Sequence, residues 1–138
     1  MGTPSYMAPE QAKGEQDKIG PSSDQYSLGC TLYEMLVEHT PFAGPPAQQM
    51  FLHQTRVPQN PRSLNRDVPR DLDTLAMKCL EKDIEKRYRD CQALGDDLRR
   101  WADGEPITAR RAGPVERVVK WTRRNPAVAG LLAAVVIV

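Results

Sequence analysis

The chain has 138 residues, 40% of them hydrophobic and 27% charged, and a formal net charge of +1. That balance is ordinary for one modest globular domain. It leaves no overall field that would draw nucleic acid or an acidic partner. Three cysteines, Cys30, Cys79 and Cys91, are an odd number without C-x-x-C spacing, which reads as reduced thiols in a reducing compartment. His39 and His53 have no second ligand at metal spacing, so no zinc site is expected. Met1 leads into Gly and Pro rather than a basic and then apolar stretch, so no signal peptide is expected.

In chain order, "MGTPSYMAPEQ" opens a Gly/Pro/Ser-rich loop over residues 1–23, with one short helical turn near "PEQAKG". Ser22, Ser23 and Asp24 are candidate caps for the next helix. There "DQYSLGCTLYEMLVE" places Leu28, Leu32, Met35 and Leu36 on one helical face. Tyr26, Tyr33 and Val37 widen the apolar surface, so this helix is expected to be buried on several sides. "HTPFAGPP" ends it, and "AQQMFLHQTR" reads as a short helix. "VPQNPRSLNRDVP" reads as a proline-punctuated loop with little structure. In "RDLDTLAMKCLEKD" the spacing puts Leu72, Leu75, Ala76, Cys79 and Leu80 on one face. After the connection "IEKRYR", a last helix is expected with Asp90 as N-cap, Leu94, Leu98 and Trp101 on one face, and Gly104 as the stop. No strand and no internal repeat is visible, and the fold class is all-α.

The character changes at Glu105. Residues 105–126 carry Arg110, Arg111, Arg117, Lys120, Arg123 and Arg124 against Glu105 and Glu116. Residues 127–138 are apolar throughout. Twelve helical residues reach about 18 Å, short of the roughly 30 Å hydrocarbon core. A buried C-terminal helix should show polar positions at helical spacing, and this stretch shows none. With basic residues and Trp121 before it, we read it as the start of a transmembrane helix, with residues 1–126 on the cytoplasmic face.

"GTPSYMAPE" followed by "DQYSLGCTLYEMLVEHTPF" resembles protein serine/threonine kinases, at the end of the activation segment and the central helix of the C-lobe. "EKDIEKRY" resembles their arginine-bearing motif between the last two large helices. The order and spacing of all three agree, over residues 2 to about 103. The tail further resembles the juxtamembrane region of bacterial membrane-anchored kinases of the eukaryotic-like class. The resemblance implies a partial kinase C-lobe over 1–104, a basic juxtamembrane segment over 105–126 and the start of a membrane helix over 127–138.

It also implies roles. Thr3 would support the catalytic aspartate and lysine. Ser5, Tyr6 and Met7 would line the pocket for the substrate residue after the phosphoacceptor. Glu10 would pair with Arg87 in a buried ion pair, Asp24 would accept hydrogen bonds from the catalytic-loop backbone, and Gly29 would allow close packing around the central helix. By pattern alone Asp24 is a helix cap and Glu10 and Arg87 are surface charges. Implied partners are protein substrates, the missing half of the kinase in the same or another chain, and a membrane, but not nucleic acid.

Phosphoryl transfer in this family needs a Gly-rich loop, a strand lysine, a catalytic-loop aspartate and a DFG aspartate. The 138 residues contain no GxGxxG, HRD or DFG. ATP and Mg²⁺ are therefore expected with the full-length parent and no cofactor or metal with this chain, which should be inactive alone. The alternative is a catalytically dead, membrane-tethered interaction module using residues 3–10 and 44–55.

Overall fold

The computed structural model describes residues 3–109 and 114–137. Proline sets most helix starts. Pro9, Pro21, Pro46, Pro61, Pro114 and Pro126 each take the first helical position, where a missing N–H forfeits no bond. The helices are α1 (Pro9–Ala12), α2 (Pro21–Val37), α3 (Pro46–Thr55), α4 (Pro61–Leu64), α5 (Arg70–Cys79), α6 (Cys91–Ala102), α7 (Pro114–Arg124) and α8 (Pro126–Ile137). Short 3-10 turns lie at Pro4–Tyr6, Gln16–Lys18 and Ile84–Lys86. No strand occurs among the described residues, so the all-α expectation holds.

α2 is the centre: the Pro4–Tyr6 turn, α4, α5 and α6 all pack against it. It begins three positions before the expected Asp24, because Pro21 is pre-set for the first turn. Ser23 therefore lies inside the helix, where its hydroxyl accepts the Gly20 N–H at 3.3 Å. Asp24 sits in the first turn, exposed.

The buried side of α2 is Tyr26, Gly29, Cys30 and Tyr33. The face expected to be buried is largely open instead: Leu28 is 54% and Met35 76% exposed, with Leu32 and Leu36 half-buried. The reason lies in the neighbours. α5 approaches α2 over Gly29, and nothing among the described residues covers Leu28 and Met35. A Cβ added at Gly29 would lie 2.6 Å from Cys79 Cβ. Gly29→Ala is therefore expected to force the two helices apart. Overpacking of this kind costs about 1–3 kcal/mol, against a helix-propensity gain of up to about 1 kcal/mol. The check is a lowered urea midpoint.

α5 and the residue that ends it, Leu80, bury all five positions of the predicted face: Leu72, Leu75, Ala76, Cys79 and Leu80. α6 is capped by the Asp90 carboxylate, which accepts the Ala93 N–H at 2.8 Å. Gly104, at φ +74, follows its end. Leu94 is buried, whereas Leu98 and Trp101 are each 38% exposed. The segment expected to be a structureless loop contains α4. Here the Arg62 N–H is taken by the Asp73 carboxylate at 2.8 Å, and Val68 is buried.

Packing does not stop where the composition changes. Ile107 is buried in one cluster with Leu75, Cys79, Tyr88 and Leu94, and Ala109 packs against it. Arg110 and Arg111 of the basic cluster lie outside the described residues. α8 has no buried residue. No helix among the described residues is long and apolar enough to cross a membrane.

Candidate functional site

The segment before α1 is short and polar, and its shape comes from what grips it. Thr3 is extended and Pro4 opens a single turn, closed by the Tyr6 N–H on the Thr3 carbonyl at 3.1 Å. From α2, the Ser27 hydroxyl donates to the Tyr6 carbonyl at 2.7 Å, and the Glu34 carboxylate accepts the Tyr6 phenol. From α3, the Gln49 amide donates to Ser5 Oγ at 3.0 Å and to the Phe42 carbonyl at 3.1 Å. Ser5, Tyr6 and Met7 are half-buried, while Thr3 is exposed. Two helices thus hold this loop at fixed points and leave its outer edge open.

Behind it, Glu10 on α1 and Arg87 after the Ile84–Lys86 turn meet in a two-pronged pair. Arg87 Nη1 is 2.8 Å from Glu10 Oε1, and Nη2 is 3.0 Å from Oε2. Both side chains are buried. The Ser23 hydroxyl adds a third bond to Glu10 at 2.8 Å. Burial pushes the Glu10 carboxyl up. The Arg87 bonds, its own backbone and Ser23 outweigh that and hold it below the usual carboxylate range. The rest of the Arg87 fork ties down carbonyls. Nε donates to Glu81 O at 2.8 Å and Nη1 to Ser22 O at 2.9 Å. One residue on, the Tyr88 backbone exchanges two bonds with the Gln25 side chain. The start of α2 is thereby pinned to the segment after α5.

Asp24, one turn into α2, makes no side-chain hydrogen bond among the described residues, and neither does Thr3. The fold brings Glu10 and Arg87 into direct contact and holds Ser5 and Tyr6 against α2 and α3, whereas Thr3 and Asp24 are exposed.

Sequence reasoning passed over Gln49, Lys82 and Asp97, and read His53 only as a histidine with no second metal ligand. His53 is fully buried; its Nδ1 is 2.8 Å from the Tyr26 hydroxyl. Tyr26 and Phe42 pack edge-on against its ring. Lys82 Nζ lies 4.9 Å from the Phe42 ring centroid and 3.4 Å from the Tyr26 oxygen. Burial, then Lys82, lowers the His53 pKa from 6.5 to about 4, with the backbone of Pro4 and Ser5 acting the other way. Because the folded value is the lower one, the neutral ring stabilises the fold fully above the unfolded value near 6.5. That contribution is lost as pH falls toward 4. The folded fraction in fixed urea is expected to drop across this window, and the drop to shrink in His53→Phe.

No Gly-rich phosphate loop occurs in the sequence. No group of three or more His, Cys, Asp or Glu able to hold a metal occurs among the described residues. The arrangement can present a loop and support it from two helices.

A helical scaffold built on a buried Glu–Arg pair, with a gripped loop ahead of its central helix, defines the class: the C-terminal lobe of a protein kinase. The chain belongs to the protein kinase domain family, which matches residues 1–98. It is similar to a probable serine/threonine-protein kinase of Streptomyces coelicolor, 37% identical over 113 residues, covering 81% of this chain and 16% of the relative. To the serine/threonine-protein kinase PknB of Mycobacterium tuberculosis it is 39% identical over 110 residues, 79% of this chain and 17% of the relative. A probable PknB of Bifidobacterium longum is 31% identical over 128 residues, 92% of this chain and 18% of the relative. The chain thus spans under a fifth of the length of these curated relatives and has the character of a bacterial eukaryotic-like kinase fragment.

Proposed function

We propose that this chain is the substrate-facing and scaffold part of a serine/threonine kinase C-lobe, inactive alone and completed by the part of a kinase domain that carries the ATP and Mg²⁺ site. The parent reaction is transfer of the ATP γ-phosphate to protein Ser or Thr hydroxyls. Thr3 and Asp24 would meet the catalytic loop of that other part, and Ser5, Tyr6 and Met7 would meet the substrate.

The observation that carries this reading is an open apolar groove. It has a volume of about 290 Å³ and is lined by Leu28, Leu32, Met35, Leu75, Leu94 and Leu98 among others. Each large apolar side chain left in water forgoes about 1.5–3 kcal/mol of burial. Net domain stability is only about 5–15 kcal/mol. A surface of this kind, on the central helix of a domain, reads as one built to be covered. We place the ATP-binding part of the kinase domain on it.

The purified chain is expected to transfer no phosphate from ATP with Mg²⁺, and to unfold broadly or aggregate on heating. Adding a polypeptide that carries the Gly-rich loop through DFG should restore transfer, and Leu28→Glu with Met35→Glu should block that rescue while raising solubility. Phosphate transfer by the chain unaided would sink the reading, as would a sharp, cooperative thermal transition.

The same reading sets α8 against lipid, with the chain on the cytoplasmic face. Supporting it are the absence of any buried residue on α8 and Arg123 and Arg124 directly before it. One observation favours the runner-up, a catalytically dead interaction module. The 3–7 loop and α3 form a joined surface on which Phe51 is 61% exposed. A specific partner captured by the folded chain, together with failed complementation, would select that reading.

A further inference from the structure

Among the described residues, His53 Nε2 is the buried side-chain polar atom left without a hydrogen-bond partner. Its other nitrogen tells which tautomer is present. The Tyr26 hydroxyl lies 2.8 Å from Nδ1 and itself receives a Lys82 N–H at 3.4 Å. With an ammonium on one side, the hydroxyl turns its own proton to Nδ1. An accepting Nδ1 leaves the ring proton on Nε2. His53 therefore holds a buried N–H donor with no acceptor in hydrogen-bonding geometry among the described residues, and such a group is costly to leave unpaired.

Its position suggests the missing acceptor. His53 lies on α3 one turn after Gln49, whose amide holds Ser5 Oγ. α3 packs directly on the Pro4–Tyr6 turn. The backbone groups that favour a proton on the His53 ring are those of Pro4 and Ser5. Gln49 thus grips the turn by a side chain, and His53 faces the same turn's backbone with an unused donor.

We propose that His53 is a latch for the substrate-facing loop: its Nε2–H is poised to donate to a carbonyl of the Pro4–Ser5 turn, and closing that bond seats the turn in its working position. His53 is a positioning residue, since it would act on the loop and not on the reacting atoms. The loop's role toward substrate rests on the kinase reading; the latch itself does not.

The test uses the purified full chain. Long-range proton–nitrogen spectra of the imidazole are expected to show the Nε2–H tautomer with Nδ1 as acceptor. Hydrogen exchange at the Tyr6 and Met7 amides, which close the turn on Thr3 and Pro4, reads the loop. His53→Gln carries an amide N–H near the place of Nε2 and is expected to keep that protection. His53→Asn carries its amide near Nδ1 and should lose about three- to tenfold, what one hydrogen bond is worth. The loss should be confined to Tyr6 and Met7 and spare α5. An Nδ1–H tautomer, or equal loop protection in the two variants, overturns the proposal. The tautomer is read on the unsubstituted chain, so it decides even if a variant fails to fold. Failed complementation beside an intact Nε2–H tautomer overturns the kinase reading and leaves the latch standing.

Discussion

Replacing Glu10 with Gln is expected to destabilise the chain by about 3–5 kcal/mol, because the Arg87 guanidinium stays buried without its counter-charge. Where the parent chain holds less than that, the variant should lack native helical circular dichroism at 25 °C. Arg87→Met should cost more than Glu10→Gln. Glu10 accepts from Arg87 and Ser23, whereas Arg87 also holds the carbonyls of Glu81 and Ser22. Those two carbonyls belong to the segment after α5 and to the start of α2, so losing Arg87 loosens two elements at once. Arg87→Lys should behave almost like Arg87→Met, since an ammonium cannot make the two parallel bonds or reach both carbonyls. In the double variant the effects should fall short of their sum, with a coupling of about 1–3 kcal/mol. The acid response follows from the same pair. Glu10 is held below its ordinary value of 4.5, so its contribution is complete above that pH and lost as pH falls through the lower folded value. Glu10→Gln should remove this step. Additive single effects from urea midpoints would show that the two groups act independently despite their 2.8 Å contact.

What the sequence revealed depended on whether local spacing alone decides the outcome. It does in α5, where apolar positions at helical intervals face one core and all five are buried. It does at Asp90, where a cap needs only its own next three residues. It does not in α2, because that helix is apolar on several faces and only its neighbours choose which side is covered. α5 chose the Gly29 side, where a Cβ would not fit. Glu10 and Arg87 are 77 residues apart, a separation on which periodicity is silent; resemblance to kinases joined them. His53 read as a lone histidine because its meaning lies in the turn at Pro4, which only the fold brings near. Residues 105–109 read as the start of a basic tail because the charge pattern changes at Glu105. The side chain that binds them to the body, Asp97, lies inside the preceding helix, where an aspartate looks like one more solvated charge.

Asp97→Asn is expected to cost about 2–4 kcal/mol and to free the segment after α6 before it unfolds anything else. Asp97 is fully buried and accepts five hydrogen bonds. Oδ1 takes Arg100 Nη1 at 2.8 Å and the Thr108 N–H at 2.8 Å. Oδ2 takes the Tyr88 hydroxyl at 2.6 Å, the Thr108 hydroxyl at 3.0 Å and the Ala109 N–H at 3.1 Å. Burial pushes this carboxyl up, but the Thr108, Tyr88 and Arg100 bonds outweigh it and hold it down at about 2. An asparagine has one acceptor oxygen in place of two. Whichever way the amide turns, its NH₂ faces a backbone N–H that cannot reverse its direction, Thr108 in one orientation and Ala109 in the other. The hydroxyls of Tyr88 and Thr108 can rotate to accept, so the amide should settle on the Ala109 side and leave that N–H unpaired. Exchange at the Ala109 amide should accelerate most, then at Thr108. Ile107 should loosen from Leu75, Cys79 and Leu94, which also line the groove between α2, α5 and α6. Thr108→Val removes only the hydroxyl bond and should cost about 1 kcal/mol. Acidification should mimic Asp97→Asn. The folded value lies below 3.8, so the clamp is complete above that pH and fails as pH falls toward 2. Unchanged exchange at Thr108 and Ala109 in Asp97→Asn would mean that Ile107 alone holds the segment to the lobe.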